Sequence, residues 1–396
     1  MKILWKNAFL VHEQELVNLV AEGGAVRRAD TIDFETADHI EDLEGRLVLR
    51  GFADTHLHLD KALIGEKVIN KSGTLYEAIQ IMSKYKPTMS EEDIEQRMRQ
   101  VIEWAHANGT RFMRTNIDID ENIQLRSLNV FQKLQREYQG TMILESVAFP
   151  QEGFLQDNQN YAFLEQALQA GANVLGGIPA FDHDPLLHLK KMMDLAKRYD
   201  VDVDAHIDET DDPTSLTLRD LARLTKEYGY EGRVTAAHCC SLAANDPEVV
   251  DAILQEVHDA QMTIVPLPST NLYLQGREDK KNVRRGIAPI KKMVHDFTIN
   301  VAIGSDNVRD PFNCFGNANP LQSALIAAHG AQMGGTQDFD ALFAAISING
   351  MKLMHYDPAV EGSEFFIVVD AHSAREAIIG VRPLYGTYEA GVFSKA

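Results

Sequence analysis

The chain has 396 residues, 45% of them hydrophobic, and a formal net charge of −20. That apolar content is enough for a large buried core and excludes a disordered chain. The acidic balance argues against nucleic acid or an anionic membrane surface as partner, though it names no substrate.

Near the start, Lys6, Asn7 and His12 break up the apolar residues, so a signal peptide is not expected. Residues 1 to about 50 read as short strands and turns, with Lys2–Trp5, Glu15–Val20 and Arg46–Leu49 as examples. From Gly51 an apolar strand, a loop and an amphipathic helix recur. The strands fall at 51–57, 111–117, 142–149, 173–178, 201–207, 233–238, 262–267 and 299–304. Between them, Ser90 suits an N-cap before a stripe of Ile94, Met98, Val101, Ile102 and Ala105. Asp246 and Pro247 open a second such helix with Val249, Val250, Ile253, Leu254 and Val257. Eight strands alternating with helices predict an α/β fold, a (β/α)8 TIM barrel over 51–356. The tail, 357–396, returns to strand-like runs such as Phe365–Val369. With residues 1–50 it is expected to form a small β-sandwich domain built from both chain termini. No apolar run approaches a membrane span. Cys239, Cys240 and Cys314 form no CxxC pair and no disulfide framework, which fits a reducing, cytoplasmic setting.

Four of the strands end in residues able to hold a metal. His56 and His58 are two apart, which on a strand puts both imidazoles on one face. With 14 histidines in the chain the pair alone carries little weight. His206 ends the fifth strand and Glu209 follows it, inside an acidic run with Asp208, Asp211 and Asp212. Such a run is ordinarily a solvated loop. His238 ends the sixth strand. Asp306 ends the eighth, after Gly304 and Ser305, which allow close approach. Asp60 and Lys61 read as a local salt link or a solvated loop.

At the C-terminal mouth of a barrel these groups would converge. Three imidazoles and a carboxylate suit one Zn2+ or Fe2+. Such an ion lowers the pKa of bound water from about 15.7 toward roughly 7, giving hydroxide at neutral pH. A carboxylate off the metal, for which Glu209 is the candidate, would carry protons to the leaving nitrogen. The fourth strand has no lysine to bridge a second metal.

The chain resembles the amidohydrolase superfamily, and within it the bacterial cytosine deaminase branch. The segments that carry this are His56–Asp60, Ser72–Leu75, Val147–Gly153, His206–Glu209, Leu274–Arg277 and Asp306–Val308. The resemblance implies that His56, His58, His206 and Asp306 bind the metal and that Glu209 shuttles the proton. It implies that His238 orients the metal-bound water and that Asp306 helps take its proton. Gln151 would hydrogen-bond a pyrimidine-sized ring and Leu75 would pack on it. Asn307 and Phe312, also beside the substrate, stand where that branch has an aspartate and a tryptophan, and Asn116 where it has a histidine. The run from Ser305 to Asp310 is more similar to N-isopropylammelide isopropylaminohydrolase.

The expected protein is a hydrolase of carbon–nitrogen bonds other than peptide bonds. Metal-bound hydroxide would attack the amino-bearing carbon of a small nitrogen heterocycle and release ammonia. Candidate substrates are cytosine, isocytosine, isoguanine, creatinine and aminotriazines. The alternatives are an N-alkylamino-triazine aminohydrolase, a ring-opening cyclic amide hydrolase and a non-catalytic scaffold. Relatives tend to form homo-oligomers. The segment from Asp310 to Pro320 is a candidate lid.

Overall fold

The computed structural model describes residues 1–156 and 158–396. Its largest feature is a parallel sheet of eight strands that follow one another in chain order. They are Phe52–Leu57, Thr110–Asp118, Ile143–Phe149, Val174–Gly177, Asp202–Ile207, Val234–His238, Thr263–Val265 and Asn300–Val301. Each lies within three residues of its expected ends. Parallel neighbours need helical crossovers, and a right-handed twist carried through eight strands curls the sheet. Its two edges approach each other where Leu57 bridges Asp306 in parallel and the Asp306 N–H donates to the His56 carbonyl at 2.8 Å. The arrangement is consistent with a TIM barrel.

Both helices expected from their caps and apolar stripes are present, one of them capped as expected. Ser90 accepts the Asp93 N–H at 3.2 Å and caps the helix Glu91–Ala107. That helix buries Ile94, Met98, Val101, Ile102 and Ala105 against the sheet. Asp246 stands at the N-cap of Pro247–Asp259, but its side chain accepts no bond from the first turn. Pro247 removes one free N–H there, so less is left for a cap to satisfy.

Both ends of the chain contribute to a second eight-stranded sheet. Lys2–Leu10 pairs with Glu15–Glu22, His39–Asp42 and Leu47–Leu49. The join between the termini is Phe366–Val369, antiparallel to Leu47–Leu49 with Ile367 opposite Leu49. Leu384–Glu389 and Val392–Lys395 extend that side. Trp5 is fully buried and meets Phe366 and Tyr388 edge-on at 4.9 and 5.0 Å. No helix among the described residues is long and apolar enough to cross a membrane.

Candidate active site

The polar residues collect at the C-terminal ends of the parallel strands. Alternation places His56 and His58 on the same side of the first strand. Gly304 lets the chain after the eighth strand press against them, since a Cβ there would lie 2.4 Å from the His56 carbonyl oxygen. Asp306 then turns into the left-handed region at φ 60°, as does His238 at φ 67°. Neither is glycine, and such conformations cost on the order of 1–3 kcal/mol unless their surroundings hold them.

His58 Nε2 lies 3.3 Å from His206 Nε2 and 3.4 Å from Asp306 Oδ1. His56 Nε2 is 3.9 Å from the same oxygen. All four side chains are buried, and neither carboxylate oxygen of Asp306 has a hydrogen-bond partner among the described residues. Burial pushes the His58 and His206 rings well below the usual imidazole range, which keeps them neutral. A buried carboxylate facing neutral acceptors calls for a cation. Ligands about 2.1 Å from a tetrahedral metal stand roughly 3.4 Å apart, so the spacing fits one ion.

His238 is fixed by Asn271. The Asn271 carbonyl accepts the Leu267 N–H at 3.3 Å, so its amide NH2 must be what meets His238 Nδ1 at 3.0 Å. Nδ1 is then an acceptor, and the proton sits on Nε2. Nε2 has no partner among the described residues. Burial lowers this ring to about 3, so it stays neutral. Glu209 lies 3.5 Å from His238 Nδ1. Burial and the neighbouring Asp306 raise its carboxyl well above the usual range, with Lys61 opposing.

A small cavity opens here, lined by His58, Leu75, Gln151, His206, Glu209, His238, Asp306, Asn307 and Phe312. Every expected site residue except His56 is in that lining. His56 lies beneath it, fully buried. The 310–320 segment supplies Phe312 to the wall, and Asp310 anchors it by accepting the Phe312 and Asn313 N–H groups.

The acidic run after the fifth strand is not one solvated loop. Asp208 is buried and accepts from Ser215, Thr217 and the Leu218 N–H, which ties down the start of the next helix. Glu209 points into the cavity, and Asp212 remains exposed.

Lys61 differs more from its expectation. It is 1% exposed and donates to Asp118 and Gln151, both at 2.7 Å. Lys86 is equally buried, with Asp118, Asp120 and Glu152 at 2.6–2.8 Å. These two ammonium groups pair with Asp118, which also stands with His58 and Asp60 in a buried trio whose donor atoms lie within 4.8 Å of one another. Asp204, fully buried and 3.7 Å from His56 Nδ1, was also missed. Its position two residues before His206 would have placed it on the same inner face. Phe149, stacked on His206 at 4.2 Å, gave no polar signal.

A curled parallel α/β sheet with a buried histidine–carboxylate centre at its C-terminal ends defines a class of barrel-type hydrolases. A model described as "Amidohydrolase family" matches residues 70–358, and the chain belongs to that family. It is 33% identical over 286 residues to a pterin deaminase of Rhizobium rhizogenes, covering 71% of this chain and 64% of that protein, slightly less than two thirds of its length. It is 27% identical to an N-isopropylammelide isopropyl amidohydrolase of Pseudomonas sp. strain ADP, over 95% of this chain and 93% of the other. The structure of 5-methylcytosine deaminase from Klebsiella pneumoniae, liganded with phosphonocytosine, superposes with a TM-score of 0.92 at 28% identity. That match covers all of this chain and 98% of the other.

Proposed function

We propose that this protein is a metal-dependent deaminase that hydrolyses the amino group from a small amino-substituted nitrogen heterocycle. It is a hydrolase of carbon–nitrogen bonds other than peptide bonds. The observation that carries the proposal is the buried, unpartnered Asp306 carboxylate beside two neutral imidazoles at metal-ligand spacing. His56, His58, His206 and Asp306 would hold one ion, Zn2+ or Fe2+.

When bound, the ion supplies a strongly acidified water as nucleophile at neutral pH. His238, with its proton on Nε2, would orient that water. Asp204 stands beside His56 Nδ1 and would fix that ring. Glu209, whose carboxyl burial and the neighbouring Asp306 push well above the usual range, would pass a proton to the departing nitrogen. Leu75 and Phe312 pack on the ring, while Gln151 and Asn307 bond its edge.

A second reading, removal of an alkylamine from an aminotriazine, is favoured by the near full-length match to the ammelide hydrolase. We further infer a complete (β/α)8 barrel over 51–356, a β-sandwich from 1–50 and 357–396, homo-oligomeric assembly and, from three unpaired cysteines, a cytoplasmic setting.

The test is product analysis with zinc- and iron-loaded protein on aminopyrimidines, aminopurines, pterin, aminotriazines and creatinine. Free ammonia from one of them supports the deaminase. An alkylamine from N-isopropylammelide supports the second reading. A ring-opened acid overturns both.

A further inference from the structure

Two amide side chains face the cavity, and each has one end committed outside it. Gln151 is 4% exposed and Asn307 5%. The Lys61 ammonium bonds Gln151 Oε1 at 2.7 Å. An ammonium only donates, so it requires the carbonyl end of that amide. Lys61 is itself held by Asp118 and sits over the Phe149 and Phe312 rings at 5.5 and 5.3 Å. It is not in the cavity lining. On the other wall, Asn307 Nδ2 donates to Asp310 Oδ2 at 2.7 Å. The other Asp310 oxygen is occupied by two backbone N–H groups. Gln151 Nε2 and Asn307 Oδ1 have no partner among the described residues.

We propose that Lys61 and Asp310 are positioning residues that lock these amides in opposite senses, so that the cavity offers a donor at Gln151 and an acceptor at Asn307. This rests on the deaminase proposal and narrows its substrate class. The ring must carry an acceptor, an oxo group or an unprotonated ring nitrogen, beside Gln151. It must carry a ring N–H or an amino group beside Asn307. Aminoheterocycles with a lactam edge meet both demands, and rings with no N–H or amino group besides the departing one do not. Asn307 thereby acts as an acceptor, as the aspartate it stands for would.

The test is neutron crystallography of the zinc-loaded protein in D2O at pH 8, where the Asp310 carboxyl, pushed up by burial to about 7, is ionised. The Gln151 Nε2 deuterons should point into the cavity and the Asn307 Nδ2 deuterons toward Asp310. The reverse placement of either pair overturns the proposal. A kinetic comparison adds a readout that a merely structural role would leave unmoved. The parent should favour cytosine over 4-aminopyrimidine in kcat/KM by roughly 100-fold or more, because the analogue has no N–H besides its departing amino group to pair with Asn307. Lys61→Met should narrow that ratio by about tenfold while keeping its metal; an unchanged ratio counts against the proposal. If Lys61→Met does not fold, Asp310→Asn replaces it, since its amide would turn a donor toward Asn307 and reverse that side chain. If neither ring is turned over, the deaminase proposal fails for pyrimidines, and the deuteron positions still decide the polarity.

Discussion

Two buried polar clusters lie side by side in this molecule, and they are satisfied to different degrees. Around Lys61 and Lys86, the ammonium groups reach Asp118, Asp120 and Glu152 at 2.6–2.8 Å. A few ångströms away, Asp306, His58, His206 and His238 keep polar atoms with no partner among the described residues. Buried polar groups are nearly always paired, so an unpaired set needs an explanation. The paired cluster is scaffold. It holds the loop that carries Gln151. The unpaired cluster is complete only with a ligand, and its neutral imidazoles and lone carboxylate specify a cation. Burial alone would not separate the two, because apart from half-buried Glu152 both are almost wholly buried. What separates them is that each carboxylate around Lys61 and Lys86 has an ammonium or N–H partner, whereas neither Asp306 oxygen has one among the described residues.

Substitutions should break the two clusters in different ways. The largest effect is expected at Glu209. Glu209→Gln should keep its metal, measured by elemental analysis, and lose roughly 10³-fold or more in turnover. Near-normal turnover would remove Glu209 from the chemistry. Next is Asp306→Ala, expected to lose metal and activity together. Its apo form should be about as stable as the parent's, because the parent apo form carries an uncompensated buried carboxylate there. Calorimetry of both apo proteins checks this. Lys86→Met should do the opposite. It should cost about 3–5 kcal/mol in urea unfolding, with or without metal, by leaving buried carboxylates unpaired.

The smallest effect concerns pH. Burial raises the Glu152 carboxyl to about 7, against Lys86 and with help from Asp120. Between its unfolded value near 4.5 and about 7, the folded protein holds a proton that the unfolded chain has lost. Stability from this group is therefore present at the acid end of that window and declines as pH rises through it. The urea midpoint of the parent minus that of Glu152→Gln should fall from pH 5 to pH 7.5. A difference that rises with pH would reverse the assignment.

Much of this was legible in the sequence. Period-two alternation and turn residues located all eight parallel strands, because each is a short apolar run with clear stops. The residues that line the cavity were legible because they sit at strand ends or in motifs of distinctive composition. What was hidden depends on distant pairing. Lys61 looked like part of a wet loop because its partners, Asp118 and Gln151, are 57 and 90 residues away. Asn271 fixes the His238 tautomer from 33 residues away, and an asparagine near a helix start has many simpler roles. Asp208 and Glu209 are adjacent acids in one run, and only the folded chain shows one as a loop anchor and the other as a cavity wall.

The most direct test is to measure metal content and ammonia release on the same preparation. Zinc or iron should bind at one ion per chain, a chelator should abolish ammonia release from the responsive heterocycle, and restoring the ion should recover it. Full ammonia release from metal-free protein would contradict a metal centre at His56, His58, His206 and Asp306.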